Sequence, residues 1–174
     1  FYSAKFQRSI EELMVSPVPP QIILSGYVIG GMVRGLLVGL IVTLLSLFFT
    51  QLHIHHVGII IYSVLLTSIL FSLGGFINAV FAKSFDDISI VPTFVLTPLT
   101  YLGGVFYSID NLSPFFQTVS LFNPIVYMVN TFRYGILGVS DINVTLSLCL
   151  ITVGTIGLYF YALRLLTSGR GMKE

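Results

Sequence analysis

Four stretches of this chain are apolar enough, and long enough, to cross a lipid bilayer, and that property decides the fold class. A helix needs about 20 apolar residues to cross the hydrocarbon core. Charged residues divide the sequence into runs of that scale. The first follows Arg34 and ends near Thr50, with an apolar lead-in from Ile22. The second runs from Val57 to Ala82 and stops at Lys83. The third begins at Ile88, after Asp87, and reaches Tyr107; the last lies between Asp141 and Arg164. Membrane spans are expected over 21–50, 57–82, 88–107 and 142–166 of an all-α, polytopic membrane protein. A soluble fold is excluded by composition. The chain is 55% hydrophobic and only 9% charged, against about 25% charged residues in a soluble domain.

Between the third and last runs lies an apolar but broken stretch, Ser108 to Ser140. Pro114, Asn123, Pro124, Gly135 and Gly138 interrupt it. Proline removes a backbone donor and disfavours helix in the residue before it. The pieces left are too short to span, and short helices that dip into the membrane and return are expected. Such backbone is tolerated at membrane depth only where protein or water satisfies it. Arg133 is the one basic residue of this stretch, and Asp110 and Asp141 are the acids available to it. Pro114, Asn123, Pro124 and Arg133 are therefore candidates for an outer gate or a fixed outer plug.

Orientation follows from lysine and arginine. Four spans put both ends on one side. The sequence assigns Lys5, Arg8, Arg34, Lys83, Arg164, Arg170 and Lys173 to that side and Arg133 alone to the other. Both ends are expected in the cytoplasm. No basic region with a cleavage site precedes the first apolar run, so no signal peptide is expected.

The N-terminal segment has a different pattern. Phe6, Ile10, Leu13 and Met14 fall on one helical stripe, with Arg8, Glu11 and Glu12 on the other faces. Pro17, Pro19 and Pro20 then end the helix. A short amphipathic helix over 5–15 is expected on the cytoplasmic surface. It fits an interfacial anchor and a docking surface for a soluble partner about equally.

Gly31, Gly35 and Gly39 recur every four residues in the first span, a spacing that lets two helix backbones approach closely. The partner helix can lie in the same chain or in a second copy. Arg34 is read as lying near the cytoplasmic end of its span, where it snorkels to the interface or pairs with Asp86 or Asp87. One of those two aspartates is expected to N-cap the third span. Pro98 is expected to kink that span.

Catalytic patterns do not stand out. The sequence has no Gly-Lys-Ser or Gly-Lys-Thr, no His-Glu-x-x-His and no Gly-x-Ser-x-Gly. All seven Asp and Glu residues lie at span edges or in loops, so no carboxylate relay crosses the membrane. His53, His55 and His56 cluster without an accompanying Cys, Asp or Glu, which is a poor metal set. Cys149 is single and sits in an apolar run. No cofactor, metal or nucleic-acid partner is expected.

Three blocks, "KFQRSIEELMVSPVP", "VFAKSFDDISIVPTFVLTPLTYLGGVFYSI" and "LFNPIVYMVNTFRYGILG", resemble the type-2 ABC-exporter permease family, in order and across essentially the whole chain. The resemblance implies the last four spans of a six-span permease, with residues 1–4 ending the second. It implies that 5–15 is a coupling helix, in which Phe6, Arg8, Ile10, Glu11, Glu12, Leu13 and Met14 dock on a separate soluble ATPase that binds the ATP. It implies outer re-entrant helices over 112–138 and a second permease copy in the bacterial inner membrane. The competing expectation is a structural or scaffolding membrane protein that transports nothing.

Overall fold

The structure is a computed structural model and describes residues 1–7, 12, 15–50 and 54–169, without the side chains of Phe6 and Asp110. The described residues form helices and turns only. A short α1 (Tyr2–Phe6) precedes α2 (Pro20–Ser46) and α3 (Val57–Phe81). Next come α4 (Phe85–Ile90), a π-helical segment (Val91–Leu96) and α5 (Thr97–Tyr101), which follow one another without a break. A 3₁₀ turn at Ile109–Asn111 leads to α6 (Pro114–Leu121) and α7 (Pro124–Leu137), and α8 (Val144–Ser168) closes the fold.

Among the described residues, three helices are long and apolar enough to cross a membrane: α2 with 27 residues, and α3 and α8 with 25 each. At 1.5 Å per residue they measure about 37–40 Å. Their outward faces carry bare apolar side chains, such as Leu37, Leu40 and Leu44 on α2, each more than half exposed. Such a face suits lipid, where exposed Leu costs nothing.

The third apolar run takes a different form. Its helical part starts at Phe85 and ends at Tyr101, short of 107, because Gly103 and Gly104 break the chain and Gly104 adopts a left-handed φ of 71°. Pro98 has no N–H, and its ring would meet the carbonyl four residues back. The backbone answers with a widened turn just before it, in which both the N–H and the Oγ1 of Thr97 reach the carbonyl of Pro92. Such π turns occur mainly as single insertions within α-helices. The start of this run is capped by Ser84, whose Oγ accepts from the Asp87 N–H at 3.2 Å. Asp87 is the reciprocal partner of that box, not the cap itself, and Asp86 takes no part in it.

The core lies at the end of the bundle that carries α1 and the last turns of α8. Ile23, Leu24 and Val28 of α2 meet Leu73, Phe76 and Val80 of α3, and Ala162, Leu165 and Leu166 of α8. Above that cluster α2 and α3 stay close through small residues. A Cβ on Gly31 would lie 2.2 Å from the Ser72 Oγ, and one on Gly35 would lie 3.7 Å from the Ser68 Oγ. Ser72 spends its hydroxyl proton on the Val28 carbonyl at 3.0 Å. A Cβ on Gly39 would meet nothing within 4 Å.

This register corrects the sequence reading of Arg34. Each step up α2 is matched by a step down α3, so Arg34 stands level with Ile69, the midpoint of Val57–Phe81. It is a mid-span residue, exposed, and among the described residues it forms no ion pair with Asp86 or Asp87.

Candidate functional site

Two polar nodes lie one at each end of the bundle. At the terminal end, α1 docks on the last turn of α3. Lys5 Nζ donates to the carbonyls of Val80 at 2.8 Å and Ala82 at 3.0 Å. Those carbonyls end a helix and lack intrahelical donors, so a cation there meets both the free oxygens and the negative end of the dipole. Tyr2 is buried against Ala79 and Ala82, and its ring meets Phe85 edge-on at 4.9 Å. Asn78 Nδ2 donates to the Ile88 carbonyl at 2.9 Å, tying α3 to α4. Asp87 Oδ2 accepts the backbone N–H groups of Lys83 at 2.9 Å and Ser84 at 3.0 Å. Those backbone donors, with the Ser84 hydroxyl, hold its carboxyl below the usual carboxylate range. Phe1 packs on Tyr27 of α2 and Phe76 of α3, at 5.1 and 4.4 Å between rings.

Of the expected docking residues, Glu12 is exposed and the α1 backbone ends at Phe6. Arg8, Ile10, Glu11, Leu13 and Met14 lie outside the described residues.

At the opposite end, α6 and α7 form a cap over the bundle. At 8 and 14 residues they measure about 12 and 21 Å, below the thickness of the hydrocarbon core. Pro114 and Pro124 each begin a helix, at the position where a missing N–H costs nothing. Asn123 is buried and joins two elements with one side chain. Its Oδ1 accepts the Ile125 N–H at 3.0 Å, capping α7, and its Nδ2 donates to the Leu99 carbonyl of α5 at 2.6 Å.

Arg133 is the centre of this cap. Its Nη1 lies 2.9 Å from Asp141 Oδ2, and its Nη2 donates to the carbonyls of Gly104 and Tyr107. Asp141 Oδ2 also accepts the Ser108 hydroxyl at 2.8 Å and the Ile109 N–H at 3.0 Å. Burial pushes the Asp141 carboxyl up, but the bonds from Ser108 and Ile109 and the Arg133 charge outweigh it and leave it below its ordinary value. Three separate segments therefore meet on one carboxylate.

Asn130 completes the node and was not singled out by sequence. Its Oδ1 accepts the N–H groups of Asp141 at 2.9 Å and Ile142 at 3.2 Å, and its Nδ2 donates to the Ile142 carbonyl at 2.8 Å and to Ser147 Oγ at 3.3 Å. The available signal was an amide three residues before Arg133 on a mostly apolar helix. His55 and His56 also join the cap, while His53 lies outside the described residues. The N–H groups of His55 and His56 both reach the Gly135 carbonyl, and their rings stack around Tyr134. Gly138 ends α7 at a φ of 72° directly against the His55 ring.

Beneath the cap, between α3, α5 and α7, lies an open apolar cavity of about 630 Å³. Ser63, Thr67, Phe71, Met128, Phe132 and Arg133 are among its walls.

A proline-broken cap thus lies at one end of the long apolar helices and the short α1 at the other. Comparison with known families gives a direct match: residues 1–137 fit the ABC-2 type transporter family. The chain belongs to that family. It is 53% identical over its whole length to the inner membrane transport permease YadH of Escherichia coli K12, and covers 68% of that protein. The YadH of Shigella flexneri gives the same figures. Nodulation protein J of Rhizobium leguminosarum bv. viciae is 30% identical over 81 residues, 47% of this chain and 31% of that protein. No solved structure matches. The chain is thus a membrane permease segment of an ABC transporter, corresponding to part of a longer inner-membrane relative. Permease subunits of this family carry no ATPase motif of their own.

Proposed function

We propose that this chain forms the substrate path of an ABC exporter driven by a separate soluble ATPase, and works beside a second permease copy in the bacterial inner membrane. The observation that carries the reading is the Lys5 node. The stretch that family resemblance assigns to ATPase docking begins with a lysine fastened to the end of α3, beside the loop that starts α4. A displacement of residues 5–15 by the ATPase pulls directly on two membrane elements.

The terminal end is read as cytoplasmic. Lys5, Lys83 and Arg164 sit there, Arg8, Arg170 and Lys173 adjoin it in sequence, and Arg133 alone lies at the other end. The cap of Pro114, Asn123, Pro124 and Arg133 then faces outward and gates the exit. The glycine stripe divides: Gly31 and Gly35 pack within the chain, while Gly39 is open.

The test replaces Glu11 and Glu12 with Lys in the full-length permease. The protein should still insert, but a soluble ATPase with a phosphate-binding loop, which co-purifies with the wild type, should be lost. Undiminished co-purification and transport would refute docking at 5–15.

A further inference from the structure

Arg34 is a charge in the wrong place for a helix that faces only lipid. The α2–α3 register puts it level with Ile69, the centre of a 25-residue apolar helix. About 15 Å of hydrocarbon then lies on either side of it, further than one side chain reaches by snorkelling. It does not turn inward to α3, because Gly31 and Gly35 occupy that face, and Arg34 itself is exposed. Among the described residues it has no hydrogen bond or ion pair. Nor can this chain supply an anion at that depth. Its seven acids, Glu11, Glu12, Asp86, Asp87, Asp110, Asp141 and Glu174, all lie outside Pro20–Ser46, Val57–Phe81 and Val144–Ser168. An unpaired arginine at mid-membrane is costly unless water or an anion meets it.

We propose that Arg34 lines a water-accessible path along α2 and there holds an anionic group of the transported molecule. The inference rests on the exporter reading and adds a substrate class to it, an anion or an amphiphile with an anionic head. The surroundings fit. Gly30 lies one turn below Arg34 on the same face, with open space where a Cβ would be, and Ile41, two turns above, is 56% exposed. A guanidinium between a bare backbone turn and an apolar side chain offers a polar head and a hydrocarbon portion adjacent contacts.

The test uses the full-length permease in opened membrane vesicles, with Cys149→Ser to remove the single cysteine of this segment and any others replaced. Gly30→Cys and Ile41→Cys are introduced one at a time, with Arg34 intact or as Arg34→Gln. Rates of modification by an anionic sulfonate and a cationic trimethylammonium methanethiosulfonate are compared. A thiol facing lipid reacts with neither. The expected result is reaction at both positions, with an anionic-to-cationic ratio about tenfold higher when Arg34 is present, from about threefold on each reagent. Arg34→Lys should keep that preference. If Arg34→Gln fails to accumulate, the ratio with Arg34 intact, measured against a free thiol, still decides. No reaction at either position, a ratio indifferent to Arg34, or disulfide cross-linking of two permease copies through Ile41→Cys would each overturn the proposal. ATPase co-purification is scored on the same preparations, so a failed Arg34 claim is distinguished from a failed exporter reading.

Discussion

The Arg133 guanidinium lies 2.9 Å from the Asp141 carboxylate, and the same carboxylate oxygen accepts the Ser108 hydroxyl and the Ile109 N–H. Neither partner is left bare when the other is removed. Arg133 keeps the carbonyls of Gly104 and Tyr107, and Asp141 keeps its two other donors. The pair is also only partly shielded, at 20% and 8% side-chain exposure.

Arg133→Ala should therefore cost about 1–3 kcal/mol, between the values for exposed and buried pairs. The check is thermal unfolding of the detergent-solubilised full-length permease, with Asp141→Asn and the double variant completing a cycle. A double variant whose loss equals the sum of the singles would show that the pair is not coupled. A moving gate should further show altered transport at normal expression, whereas a fixed plug should show the loss of stability first.

Acid should release this cap. The folded Asp141 carboxyl sits below its ordinary value of 3.8, so its contribution is fully present above that value and is lost as pH falls through the lower folded one. After correction for intrinsic exchange rates, hydrogen exchange at the amides of Ile109, Asp141 and Ile142 should rise only once the pH falls below that ordinary value. Release near neutral pH would contradict the assignment.

Gly31→Ala should lower stability, because the added methyl meets the Ser72 Oγ at 2.2 Å. Ser72→Gly should recover part of the loss, since it removes the obstructing hydroxyl. Gly39→Ala has open space and should leave the unfolding temperature nearly unchanged. Equal effects at 31 and 39 would remove the case for close α2–α3 packing.

Lys5→Met should loosen the terminal end, because two end carbonyls of α3 lose a charged donor. Hydrogen exchange of amides in 79–88 should rise, while exchange at the cap stays constant. In a coupled transporter, ATP hydrolysis should continue with transport reduced.

Topology has its own check. With Cys149→Ser, single cysteines at His55, Ser84 and Gly169 should show only the first labelled by an impermeant reagent in intact cells. Labelling at 84 would invert the orientation.

Much of the architecture was legible because lipid imposes a length, and apolar runs declare it. The helices Pro20–Ser46, Val57–Phe81 and Val144–Ser168 follow from runs bounded by charge, histidine or proline. Arg34 misled because a charge reads as a boundary, whereas the α2 start is set by Pro19 and Pro20 and by packing on α3. The aspartate cap was assigned to the right loop but the wrong residue, since Ser84 and Asp87 act reciprocally and sequence spacing admits either. The Lys5 contact spans 75 residues, and Asn123 reaches back 24 to Leu99. No local periodicity carries such pairings. Pro114, Asn123, Pro124 and Arg133 were individually conspicuous, and Asp141 was one of two acids available to Arg133, but the choice between those acids and the part played by Asn130 came only from the fold.

The direction of those long contacts bears on how the protein is made. Asp141 binds Ser108, Ile109 and Arg133, all synthesised before it, and Asn130 waits for Ile142 and Ser147. The cap cannot lock while the ribosome is still reading residues 100–140. During that interval its apolar helices must be sheltered by the insertion machinery or by lipid. A chain stalled before Asp141 would thus present an unlatched hairpin.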